Sequence, residues 1–277
     1  MYEKNFAISK EHREFLKKVK QRKLSIFSTR ILILIVFFLL WELMADMKII
    51  DAFITSQPTR ILKTLGNLYQ EGELFYHTGV TCFETIVGFL LGTIVGTSAA
   101  IILWWSDFLA KTLEPYLVIL NSLPKIALGP IFIVWIGAGV SSIIVMALAI
   151  SMIVTVLEVL NGFLAVDQDK IKLVQTFGAK RIQVLTKVVL PSCFPVIINA
   201  LKINVGLSWV GVIVGEFLVS KAGLGYLIVY GGQVFQLDLV MTTVLILAVA
   251  AALMYQGVIY LETLLTKRGR HTFDKNL

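Results

Sequence analysis

The sequence predicts an all-α membrane protein with about six transmembrane helices. Three observations lead there. The 277 residues are 57% hydrophobic and only 16% charged, where a soluble domain is about one quarter charged. The apolar residues fall in runs of about 20, the length that crosses a bilayer. The basic residues gather at the two ends and in one central loop, beside apolar runs. That is a membrane pattern and not a nucleic-acid surface, so no nucleic-acid partner is expected.

Taken in order, the first span covers about 26–47, around ILILIVFFLLW. It follows a long basic segment with no small-residue cleavage site after it, so no cleavable signal peptide is expected. The second lies between Glu84 and Asp107, with Glu84 at the outer interface. It carries Gly88, Gly92 and Gly96, a small-residue stripe that lets helix backbones approach closely. The third, 115–139, is broken by Pro124, Lys125 and Pro130. Broken helices at membrane depth are tolerated against protein or a cavity. The fourth runs over 140–164 and the fifth over 193–214. Residues 215–237 are too glycine-rich and polar for a simple span and read as a short connecting or re-entrant segment. A sixth span covers 240–260.

Orientation follows from Lys and Arg. The first 30 residues hold nine of them, and further basic residues sit in the loop after the fourth span and at the C-terminus. Six spans put these three segments on one side, the cytoplasm. The chain thus divides into a basic cytoplasmic arm, 1–25, one transmembrane domain, 26–264, with a cytoplasmic loop at 165–190, and a cytoplasmic tail, 265–277.

That loop is unusual. It contains LVQTFGAKRIQVLTKVVLP, 173–191. Ile171, Val174 and Phe177 recur at three-residue spacing, as on a helix face. Gly178 stands at a natural helix end. Pro191 suits the first turn of the next helix. An apolar stripe on a cytoplasmic loop points to a docking face.

These residues resemble the signature loop of permease subunits in binding-protein-dependent ABC importers. The glycine is Gly178 followed by Ala179, and the close is Val188-Val189-Leu190-Pro191. The opening departs, with Lys172, Leu173 and Val174 where Glu, Ala and Ala are common. LPKIALGPIFIVWIGAG (123–139), GEFLVSKAGLGYLI (215–228) and GELFYHTGVTCFETIVGFLLGTIVG (72–96) are similar to segments of the nitrate, sulfonate and taurine branch. The resemblance spans about 55–265. It implies a type I importer permease fold, a homodimer in the bacterial cytoplasmic membrane, two copies of a separate ATP-binding subunit and an extracytoplasmic solute-binding protein. By the resemblance, Val174, Gln175, Thr176, Phe177, Gly178, Ala179, Leu190 and Pro191 form the ATPase-coupling loop, with Phe177 and Val174 entering the partner's groove. The implied solute is small and anionic, like sulfonate, taurine or nitrate, or like a thiamine precursor.

Polar residues within the apolar region are the candidates for a pathway. They are Asn121, Ser122, Lys125, Glu158, Asn204 and Ser208; the plainer reading of each is a bond to a neighbouring helix or a wet helix end. Lys202 is expected to snorkel toward the cytoplasm. No catalytic residue, cofactor or metal site is expected. The phosphate-cradling Gly-x-x-x-x-Gly-Lys-Ser/Thr pattern is absent, and His12, His77 and His271 are scattered. The alternative reading is a gradient-driven secondary transporter using Glu158 or Lys125. A further rival is an assembly protein with no pathway.

Overall fold

The computed structural model describes the backbone of residues 10–274 and the side chains of 14–264. Among the described residues every regular element is helical. Five helices are long and apolar enough to cross a membrane, and one pair bent by 89° makes a sixth candidate when its two halves are counted as one span.

Residues up to Lys63 form one compact unit and those from Thr64 a second. In the first, α1 runs from Lys10 to Asp46 as one helix of 37 residues. The expected boundary between a basic arm and a span at 25/26 is therefore no structural break. Lys and Arg are good helix formers, so the polar segment carries the helix outward from the apolar run. Residues 1–9 of the arm lie outside the described residues. The short α2 (Ala52–Thr55) follows, capped by Asp51, and then α3 (Pro58–Gln70). Glu42, near the end of α1, accepts from the Thr59 amide at 3.0 Å and the Thr59 hydroxyl at 2.7 Å. An anion there satisfies a first-turn N–H of α3 and faces its positive end.

In the second unit α4 (Glu73–Trp105) and α5 (Asp107–Ser122) come first. A 3₁₀ turn (Lys125–Leu128) and α6 (Gly129–Ile136) complete the broken third span, which bends by 89°. Then α7 (Val140–Leu164) matches the fourth expected span. The loop holds α8 (Gln168–Thr176) and α9 (Arg181–Val184), and a π-helical turn (Leu185–Val189) leads into α10 (Leu190–Val219). The re-entrant segment is α11 (Leu224–Gln233), and α12 (Leu237–Asp274) is the last element. Its backbone stays helical through 265–274, where the sequence suggests a separate tail.

The α7 helix is the centre of this unit, packed most extensively against α4 and α10. Small residues explain the closeness. A Cβ at Gly88 would lie 2.6 Å from the Ala147 Cβ, and one at Gly211 would lie 2.5 Å from the Ala147 Cα. Ala147 is thus gripped from both sides. One and two turns along, Gly92 faces Ser151 and Gly96 faces Thr155. The glycine stripe serves helix packing, as its spacing suggests.

Candidate functional site

The loop end of the second unit is built around α8. The Asp167 side chain caps it, accepting from the Asp169 amide at 2.9 Å. At its other end Gly178 has φ +82°, a left-handed conformation favoured by glycine. The Gly178 amide donates to the Gln175 carbonyl at 2.9 Å, and the Ala179 amide to the Val174 carbonyl at 3.2 Å. These paired bonds are a Schellman helix stop. The chain then restarts in α9, where the Lys180 amide donates to the Gln183 side chain at 2.7 Å. The π turn before α10 holds Leu185 and Val189 buried.

The stripe of the loop divides into two faces. Ile171, Val174 and Ala179 pack onto a core that includes Leu103, Phe163, Val184 and Val189. Val174, expected to enter a partner's groove, is half-buried and packs against this chain's own core. Leu190 packs there too, while Pro191 is exposed in the first turn of α10. Gln175 and Thr176 are exposed, and the Thr176 hydroxyl turns back to the Leu173 carbonyl at 2.6 Å. Phe177 is 83% exposed, with Leu173 and Ile182 exposed beside it. Arg181, though exposed, lies across the end of α4: its guanidinium is 5.7 Å and 5.8 Å from the Trp104 and Trp105 rings, a cation–π contact that fastens the loop there.

The candidate pathway residues separate in the same way. Asn121 and Ser122 are exposed at the end of α5, and the Ser122 hydroxyl donates to the Val118 carbonyl at 3.0 Å. Lys125 donates to the Asn121 carbonyl and side-chain oxygens at 3.2 and 3.1 Å. Glu158 is half-buried on α7. Asn204 and Ser208 are fully buried. Asn204 donates to Thr155 at 2.5 Å and to Thr93 at 3.3 Å, tying α10 to α7 and α4. Lys202, expected to snorkel, pairs with Glu262 of α12 at 2.7 Å.

Sequence reasoning missed a polar site at the other end of α10. The N-terminus of α11 presents four successive amides, those of residues 223–226. His77 Nδ1 accepts from Gly223 at 2.9 Å, and the Thr81 hydroxyl accepts from Leu224 at 2.7 Å. Glu216 accepts from the Gly225 amide and faces the Tyr226 amide. It also accepts from the Thr81 hydroxyl at 2.7 Å. Every orphan donor of the first turn thus has a partner. A Cβ at Gly223 or Gly225 would collide with the Glu216 side chain, and Gly223 has φ +107°. The Gly-Leu-Gly-Tyr segment is shaped to wrap that carboxyl. Glu84 stands beside Glu216, its oxygens buried with no hydrogen-bond partner of good geometry. It is 1% exposed, buried within the protein. The missed signal is His77, Thr81 and Glu84 at i, i+4 and i+7, one face of a helix.

The sequence pattern described as "Binding-protein-dependent transport system inner membrane component" matches residues 88–271, well over half of the chain. The chain belongs to this family. It is an integral membrane permease of an ABC importer, and relatives place it in the sulfonate and taurine branch. It is 29% identical to the putative aliphatic sulfonates transport permease SsuC of Bacillus subtilis, over 94% of this chain and 95% of the relative. It is 27% identical to the formylaminopyrimidine transport permease ThiX of Halalkalibacterium halodurans, over 68% of this chain and 74% of the relative. Its fold is that of the MetNI methionine ABC transporter in inward-facing conformations, with TM-score 0.54 and 22% identity over 68% of this chain and 97% of that one. The relatives are transport permeases and not enzymes, and the family implies an ATP-binding subunit and a solute-binding protein as partners.

Proposed function

We propose that this permease passes a small solute, anionic or thiamine-precursor-like, across the bacterial cytoplasmic membrane and is driven through its 165–190 loop by a separate ATP-binding subunit. It works as a homodimer with two such subunits, and a solute-binding protein delivers cargo from outside. Both termini and the loop are cytoplasmic. The observation that carries the coupling role is Phe177: a large aromatic, 83% exposed, at a fixed helix stop. Exposed aromatics on rigid loops are interface anchors. Gln175, Thr176, Gly178 and Ala179 set its position, and Val174, Leu190 and Pro191 tie it to the core and to α10. The proposed pathway runs along Asn121, Ser122 and Lys125 at the bend and past Glu158. Asn204 and Ser208 support it from within the bundle.

The test is Phe177→Asp. A buried aromatic anchor contributes about 2 kcal/mol or more to an interface, about thirtyfold in affinity. The variant should reach the membrane in normal amounts and lose its ATP-binding subunit on purification. Full retention of that subunit would overturn the coupling role.

A further inference from the structure

We propose that the cavity beside α11 is a solute-binding site, and that it takes a planar nitrogen heterocycle, uncharged or cationic. The inference rests on the permease reading and selects among its solutes. The cavity has a volume of about 820 Å³, within the range of small-molecule sites. It lies between the end of α3, the start of α4, α11 and the start of α12.

Its wall is a ladder of rings. His77 and Tyr226 lie 5.9 Å apart at 17°, and Tyr226 and Tyr230 lie 6.0 Å apart at 22°. Tyr76 meets His77 edge-on at 5.2 Å. Tyr76 and Tyr230 are exposed. Near-parallel rings beside an open cavity offer a flat guest a stacking surface.

The polar groups fix the charge it accepts. Glu71, Glu73 and Lys221 line the cavity, two carboxylates against one ammonium. A sulfonate entering here meets more negative than positive charge. An amino-substituted heterocycle finds carboxylate acceptors for its N–H groups and, if protonated, ring faces that attract cations. Gln236 adds a donor and an acceptor. Because His77 Nδ1 accepts from the Gly223 amide, the neutral ring carries its proton on Nε2 and keeps that donor for other partners.

The site is also mechanically placed. His77 and Tyr226 line the cavity and belong to the cap of α11. A guest stacked on this ladder presses on the segment that Glu216 holds in place.

The test uses the permease purified with its ATP-binding subunit and reconstituted in lipid nanodiscs. Saturation-transfer NMR titrates 4-aminopyrimidine and, separately, taurine, with empty nanodiscs as the reference. The pyrimidine should bind above that reference and taurine should not. Tyr230→Leu should weaken the pyrimidine about tenfold, and Tyr230→Phe, which keeps the ring, should bind like the parent. Taurine binding as well as the pyrimidine, pyrimidine binding no better than empty nanodiscs, or full affinity in Tyr230→Leu would each overturn the site. Failure to recover an ATP-binding subunit would instead count against the permease reading beneath it.

Discussion

Replacing Gly178 separates backbone conformation from space. A Cβ there meets nothing within 4 Å, yet the residue sits at φ +82°. Bulk therefore cannot act through a clash inside the chain. An L-residue other than Asn or Asp costs roughly 1–2 kcal/mol in this conformation. That shifts a local equilibrium by about five- to thirtyfold. Leu should break the paired bonds to Val174 and Gln175 and move Phe177 off its position. Asn tolerates left-handed backbone and should keep them. The assay is solute imported per ATP hydrolysed in proteoliposomes, using the ligand recovered with the co-purified binding protein. Gly178→Leu should lower this ratio by about five- to thirtyfold, and Gly178→Asn should stay near the parent. If Asn damages coupling as much as Leu, the limit is space in a partner's groove and the conformational argument fails.

Two further predictions concern the bundle. Gly92→Ala places a methyl on the Ser151 hydroxyl but leaves the Ser151 Cβ at 3.2 Å, so it should cost about 1–3 kcal/mol of stability, and adding Ser151→Ala should restore most of it. Thermal unfolding in detergent checks this, and an unrescued double variant would refute the contact. Glu216→Ala strips acceptors from the Thr81 hydroxyl and the Gly225 and Tyr226 amides, at about 1–3 kcal/mol for each donor left buried. Glu216→Gln keeps one acceptor oxygen and should lose less in the same melt. Equal melting of Glu216→Ala and the parent would refute the cap.

Much of the fold was legible because lipid leaves few choices: apolar runs of bilayer length must be helices. The 140–164 span and the break at Pro124 were readable from single residues, but the 89° bend depends on packing. Gly178 was legible because a helix stop is local chemistry. Val174 was not, since periodicity finds a face without saying what it meets. Glu84 was legible as a charge beside an apolar run, but its burial against other helices was not. Its neighbour Glu216 is 132 residues away in sequence, so the two carboxyls meet only in the fold. Lys202 and Glu262 escaped in the same way, as a pair formed across two helices.

The central claim is that this chain is moved by another protein's ATP. Purifying the tagged full-length chain from native membranes, with its partners identified by mass spectrometry, tests it most directly. An ATP-binding subunit and a solute-binding protein in the eluate are the predicted result. A reproducible homo-oligomer with no ATP-binding subunit would contradict it and favour a gradient-driven transporter, with Glu158 and Lys125 as the first residues to change.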